Sequence, residues 1–165
     1  MPSRTIPIRP RRNRKNPTIR GLVRETQLCP ADLIYPLFIQ EGDEDTPIES
    51  MPGCSRWSLN GLVQEVGAAK KVGVQSIVLF PAIDDSLKTP LAEESWNPNG
   101  LVPRAIKAIK DKHPDVIVIT DVALDPYNSE GHDGVVVEME NGELQIVNDR
   151  TIDILCQQAL SHAEA

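Results

Sequence analysis

The chain has 165 residues, enough for one domain with a real core. Hydrophobic residues make up 40% and charged residues 25%, and no apolar run approaches the roughly 18 residues of a membrane span, so no transmembrane segment is expected. Net charge is −7 but uneven: residues 1–24 hold eight of the 17 basic residues and no acid, while the rest carries nine basic and 24 acidic residues, which excludes a uniformly basic nucleic-acid binder.

The elements follow in chain order. Residues 1–17 read as an extended basic arm, because Pro2, Pro7, Pro10 and Pro17 oppose a helix. The arm is Arg-rich and acid-free, as organelle transit peptides are, but its prolines favour a structural arm. Thr18 to Thr26 suits a short helix, and Cys29-Pro30-Ala31-Asp32 a turn. Leu33 to Ile39 reads as a buried strand, bulged or unpaired at Pro36, which has no N–H for a ladder. Ser58 caps a helix carrying Leu59, Leu62, Val63, Val66 and Ala69, with Gly73 at its end. Ser76 to Phe80 is a second strand, Gly100 to Lys112 a second helix, and Val116 to Val122 a third strand. Asn148 or Asp149 caps a last helix whose apolar face is Ile152, Leu155, Cys156, Ala159 and Ala163.

Strands alternating with helices imply βαβ units and a parallel sheet, hence the α/β class. Helix-to-strand turns are tight. The strand-to-helix connections, about 40–57, 81–99 and 123–148, are long, and they leave the strand ends where parallel α/β folds keep their sites. The third is expected to carry a hairpin, Val135–Glu138 against Leu144–Val147, turned at Asn141-Gly142.

Candidate chemistry gathers in Asp121-Val122-Ala123-Leu124-Asp125-Pro126-Tyr127-Asn128-Ser129-Glu130-Gly131-His132-Asp133-Gly134. If the strand persists, Asp121, Ala123 and Asp125 share a face, and Gly131 and Gly134 let Asp133 fold back toward Asp125. Such carboxylates need a cation, a basic group or a proton between them, and their oxygens suit a hard cation. On spacing alone, an ordinary acidic loop, with Asp and Asn side chains capping their own turns, is the favoured reading. Lys88, in the second long connection, is expected to face the site. Lys70, Lys71, Lys107, Lys110 and Lys112 fall on helices as solvated surface. Cys29, Cys54 and Cys156 are too dispersed for a disulfide framework or metal knuckle, and each reads as a small buried hydrophobe in a reducing compartment. The basic cluster Arg9–Lys15 suits docking on an acidic neighbouring subunit better than nucleic acid, since it lacks interleaved aromatics.

At these residues the chain resembles the 5-aminolevulinate dehydratase (porphobilinogen synthase) family. The likeness rests on Arg9-Pro10-Arg11-Arg12-Asn13-Arg14, residues 30–38 (PADLIYPLF), Ser50-Met51-Pro52-Gly53, Leu79-Phe80-Pro81, Asn97-Pro98-Asn99-Gly100-Leu101, residues 121–127 (DVALDPY), Gly131-His132-Asp133-Gly134 and residues 158–163 (QALSHA). It implies a (β/α)8 TIM barrel with an N-terminal arm wrapped around a neighbour, commonly in a homo-octamer. It also implies a hydro-lyase that joins two 5-aminolevulinates into porphobilinogen, the tetrapyrrole precursor, with loss of two waters. By resemblance Asp121 lies near the substrate amino group. Zinc-dependent members carry three cysteines where this chain has Ala123, Asp125 and Asp133. The resemblance is thus to the cysteine-poor branch that uses Mg²⁺ or K⁺, with Asp125 and Asp133 as candidate ligands and catalytic zinc not expected. The two Schiff-base lysines of the family lie on later strands.

Residues 1–30 are accordingly expected to be the arm, and residues 31–165 about three βα units of the barrel. The helix that ends the chain lacks a capping glycine, so the expectation is an N-terminal part of the enzyme, inactive alone, in the cytoplasm or, in a plant or alga, the plastid stroma. The alternative is a non-enzymatic half-barrel serving as an interaction or regulatory module.

Overall fold

The computed structural model describes residues 11–165. The expected arm therefore lies partly outside the described residues, and what is described of it is helical in two places. Arg12–Arg14 makes a single 3-10 turn. α1 spans Pro17–Leu22, capped by Asn16, whose side chain accepts the Ile19 N–H at 2.9 Å. Pro17 thus starts a helix instead of preventing one, since the first helical position has no N–H to lose. No residue of α1 is buried, and Leu22 and Leu28 are 80% and 77% exposed.

The body is a five-stranded sheet in the order β2-β3-β1-β4-β5. β1 (Ile34–Gln40), β4 (Ser76–Ala82) and β5 (Ile117–Thr120) are parallel neighbours. Each is followed by a helix: α2 (Leu59–Lys71), α3 (Leu101–Lys112) and α4 (Asn148–Glu164). These are the three βα units of the expected α/β architecture, a run of TIM-barrel staves without a closed barrel. The first long connection adds β2 (Thr46–Pro47) and β3 (Ser55–Trp57), with β3 parallel to β1. The third holds the expected hairpin, β6 (Val136–Glu138) antiparallel to β7 (Leu144–Ile146), turned at Gly142 with φ of 79°.

Pro36 sits in an unbroken register with β4, opposite Val78, so no bulge forms. β3 pairs with β1 only at Phe38 and Ile39, leaving the other edge of β1 free beside Pro36, where a missing donor costs no ladder bond. Leu37, Ile39, Ile77 and Leu79 alternate onto the helix-facing side of the sheet. They pack there against Leu62 and Val66 of α2 and Val102, Ala105, Ile106 and Ile109 of α3. α2 ends as its sequence implies: Gly73, at φ of 95°, donates to the Lys70 carbonyl, and Val74 donates to that of Ala69.

The start of α2 also anchors the first connection. Ser58 Oγ accepts the Gly61 N–H at 3.0 Å and donates to Asp45 Oδ1 at 2.8 Å, and the Ser58 N–H donates to the same oxygen at 2.8 Å. A carboxylate at a helix N-terminus is favourable, and Gly61 leaves the room it occupies: a Cβ there would collide with it. Ser58→Ala is therefore expected to cost about 1–2 kcal/mol, read from the urea midpoint. Gly61→Ala should destabilise at least as much, while an exposed α2 change such as Asn60→Ala should leave the midpoint within about 0.5 kcal/mol.

Candidate active site

The strand C-termini frame a cavity of about 280 Å³. β1 and β4 supply Phe38, Phe80 and Pro81, and the segment after β5 supplies Asp121, Ala123, Asp125, Pro126 and Tyr127. Phe38 and Phe80 stand opposite each other in the ladder, on the side of the sheet away from the helices, with ring centroids 5.8 Å apart and planes inclined by 34°. The cavity has an aromatic floor and a rim bearing two exposed carboxylates, Asp121 and Asp125. Such a site suits a small cationic molecule with an apolar body.

β5 ends at Thr120, two residues before the apolar run does, because its ladder with β4 stops at Leu79 opposite Thr120. Asp121 and Asp125 therefore reach the cavity from a loop, and strand alternation is not what brings them together. Asp133 folds back as Gly131 and Gly134 imply. Its Oδ1 accepts the Leu124 N–H at 2.7 Å, clasping the segment next to Asp125. Gly131 has φ of 73°, and a Cβ on Gly134 would meet Ile146 Cγ2 at 2.9 Å, so both glycines are needed as they stand.

Asn128 enters the reading from sequence only as a residue capping its own turn, yet it is the buried hub of the segment, 4% exposed. Its Nδ2 donates to the Pro90 carbonyl at 3.0 Å, and its Oδ1 accepts the N–H groups of Glu130 at 2.8 Å and His132 at 3.3 Å. Thr89 completes the stitch between the second and third connections: its N–H donates to the Tyr127 carbonyl, and its carbonyl accepts the Ser129 N–H. The signal available was the turn chemistry of Asn two residues before a loop N–H. Lys88 does not line the cavity. Its Nζ pairs with Asp85 Oδ1 at 2.7 Å.

α4 corrects two readings. It has no side-chain cap, and it buries Thr151, Ile154, Gln158 and His162, leaving Ile152, Cys156, Ala159 and Ala163 exposed and Leu155 half-buried. The buried stripe is polar because it faces the backbone of the site segment. Thr151 Oγ1 accepts the Val135 N–H at 3.0 Å, Gln158 Nε2 donates to the Ala123 carbonyl at 3.1 Å, and His162 Nδ1 pairs with Thr120 Oγ1 at 3.1 Å. Cys29 and Cys156 are exposed and Cys54 half-buried, so the reading of buried small hydrophobes fails for all three: none sits in the core.

Asp125 lines the cavity, whereas Asp133 spends an oxygen on the Leu124 N–H. Among the described residues no group of three or more His, Cys, Asp or Glu side chains stands close enough to hold a metal ion. Burial raises the Tyr127 phenol well above its ordinary range and keeps it protonated at the cavity wall. Burial also pushes the His162 imidazole below its ordinary value of 6.5.

With this geometry in place, the chain compares directly with known proteins. The class the fold and site define is a run of parallel βα units with carboxylates and aromatics at the strand C-termini. Residues 7–165 match the family model of delta-aminolevulinic acid dehydratase, and the chain belongs to that family. It is 55% identical over 167 residues to the chloroplastic delta-aminolevulinic acid dehydratase of Glycine max, covering 100% of this chain and 39% of that one. It is 57% identical over 159 residues to chloroplastic delta-aminolevulinic acid dehydratase 1 of Arabidopsis thaliana, covering 95% of this chain and 36% of that one. The structure of the Toxoplasma gondii enzyme in complex with its reaction product porphobilinogen superposes with a TM-score of 0.89 at 54% identity, over 95% of this chain and 44% of that one. The chain thus spans less than two fifths of the length of these plant relatives.

The His162 geometry carries a pH dependence. The unfolded imidazole protonates near its ordinary value, the folded one only at lower pH, so stability is complete above about pH 6.5 and falls as the pH drops below it. The urea midpoint is expected to be lower at about pH 5 than at about pH 7.5, and His162→Asn should flatten that slope. A slope unchanged by the substitution would contradict a buried neutral imidazole. Asn128→Ala, which leaves the Pro90 carbonyl and two loop N–H groups unpaired, should cost about 2–4 kcal/mol by the same measurement.

Proposed function

We propose that this chain forms the amine-orienting part of a porphobilinogen synthase, which condenses two 5-aminolevulinate molecules into porphobilinogen with loss of two waters. The observation that carries the reading is the pairing of Asp121 and Asp125 with the Phe38–Phe80 floor at the strand C-termini, in a chain of this family. A substrate ammonium fits beside the Asp121 carboxylate, which is worth more there than in open water because apolar rings bound one side. The T. gondii relative's porphobilinogen complex supports the same chemistry for the fold.

The covalent part of the reaction needs something else. Imine formation takes a desolvated lysine, and no lysine lies on a described strand or lines the cavity. The two imine-forming lysines therefore belong to residues outside this chain, and the chain alone is inactive. No step is routed through a cation. Asp125 and Asp133 offer the oxygen donors that Mg²⁺ or K⁺ takes, and would hold such an ion only together with donors from elsewhere. Residues 11–32, exposed with Leu22 and Leu28 uncovered, dock on a neighbouring subunit of a homo-oligomer, an octamer on the family pattern. As in the chloroplastic plant relatives, a plastid stroma is the location proposed for a photosynthetic source.

The test is a chimaera in which Ala165 is followed by the remaining residues of the G. max relative. It is expected to form porphobilinogen, read with Ehrlich's reagent, while the 165-residue chain forms none. Asp121→Asn in the chimaera should lower kcat by at least about 100-fold. Turnover by the isolated chain, or a fully active Asp121→Asn variant, would overturn the assignment. An inactive chimaera that still binds the full-length relative would favour a non-enzymatic half-barrel.

A further inference from the structure

We infer that Gln158 and His162 of α4 are positioning residues for Asp121, gripping the chain on both sides of it at Thr120 and Ala123. The inference rests on the reading of the Asp121 cavity as the reaction site and adds a support to it. Three observations carry it. His162 meets the hydroxyl of Thr120, the last residue of β5 and one before Asp121, and Gln158 takes the carbonyl of Ala123, two residues after it, where no ladder bond holds the backbone. Gln158 is fully buried and His162 is 8% exposed, and their partners Thr120 and Ala123 are half-buried, so both bonds are partly shielded from water. Both side chains also leave a polar atom buried without a hydrogen-bond partner, Gln158 Oε1 and His162 Nε2. Each such atom costs about 1–3 kcal/mol, set against the Ala123 carbonyl and the Thr120 hydroxyl that the two side chains pair. What the polar pair supplies is the two bonds themselves.

The local chemistry fixes their sense. The Ala123 carbonyl accepts only, so the Gln158 amide must present its NH₂ there, which leaves Oε1 stranded. His162 turns Nδ1 to the Thr120 hydroxyl, with Nε2 in the apolar wall between α3 and α4. With both contacts made, the segment that carries Asp121 is tied to α4 at Thr120 Oγ1 and the Ala123 carbonyl, beside the cavity that Asp121 lines with Phe38 and Phe80. Thr151, one turn into α4, holds the far end of the segment at Val135 in the same way. A carboxylate released by about 1 Å loses up to about 100-fold in rate, so the effect belongs in kcat.

Two substitutions test this: Gln158→Met, which keeps length and removes the donor, and Thr120→Val, which keeps shape and removes the hydroxyl. On the isotope-labelled 165-residue chain, each is expected to shift the Ala123 carbonyl or Asp121 side-chain carboxyl resonance, while that of the remote Asp115 stays put. In the G. max chimaera, each should lower kcat about 10- to 100-fold with KM within about threefold. Unchanged Asp121 resonances together with an unchanged kcat would overturn the inference. If Gln158→Met does not fold, Thr120→Val decides. If the unsubstituted chimaera makes no porphobilinogen, the functional reading has failed, and the Ala123 and Asp121 resonances alone decide whether the grip exists.

Discussion

The structure depends on one constraint: the backbone between Thr120 and Val135 leaves the sheet and must still satisfy its buried N–H and C=O groups while presenting two carboxylates outward. Ladder bonds are gone there, so side chains replace them. Asp133 takes the Leu124 N–H, Asn128 bridges to Pro90 and to two loop N–H groups, Gln158 takes the Ala123 carbonyl, and Thr151 takes the Val135 N–H. Each group left unpaired would cost about 1–3 kcal/mol, comparable with the whole margin of a small domain when several are counted together. This constraint explains the orientation of α4. Its apolar stripe is the better candidate for burial by area alone, a fully buried Ile being worth about 1.5–3 kcal/mol. Turning that stripe inward would strand several peptide groups at once, and the polar stripe wins.

The same balance shows how much of the fold was legible in the amino-acid sequence. α2 and α3 were legible because their packing is apolar on a sheet of apolar strands, so periodicity and burial agree: Leu62, Val66, Ala105, Ile106 and Ile109 all lie in one cluster. The hairpin was legible because Asn141-Gly142 admits a positive φ. α4 was not, because its burial is decided by hydrogen bonds to residues some 16 to 42 positions earlier, and no window of its own sequence contains them. The end of β5 was misread for a related reason. Val122 continues the apolar run, but the partner strand has already stopped pairing, and Val122 is 41% exposed. Of the site, the carboxylates Asp121 and Asp125 and the fold-back of Asp133 were readable, because acids and glycines after an apolar strand are unusual. Asn128, Gln158 and the facing phenylalanines were hidden, as their partners are set by tertiary contact.

Electrostatics divides the chain into two regions with different tasks. Basic side chains outside the arm concentrate on the outer helices, where Lys70 pairs with Asp115 and Lys110 donates to the Val116 carbonyl. Arg104 pairs with Glu41, and Lys88 with Asp85. The cavity end keeps Asp121 and Asp125 out of any ion pair among the described residues, in a body that is strongly acidic. Such a surface draws a cation toward the strand C-termini and repels a bare anion.

That arrangement separates two demands that conflict within one small site. An ammonium held between carboxylates must stay charged to be bound, whereas an amine that forms an imine must be neutral, and burial away from anions is what lowers its pKa. A lysine placed beside Asp121 and Asp125 would be pinned in its charged form by the same carboxylates that attract the substrate. Under the proposed function, the nucleophile would come from a stave on which apolar neighbours surround the amine. On that reading, Asp121, Asp125 and the phenylalanine floor serve the half of the reaction that recognises and orients an amine, and bond formation falls to a differently solvated wall.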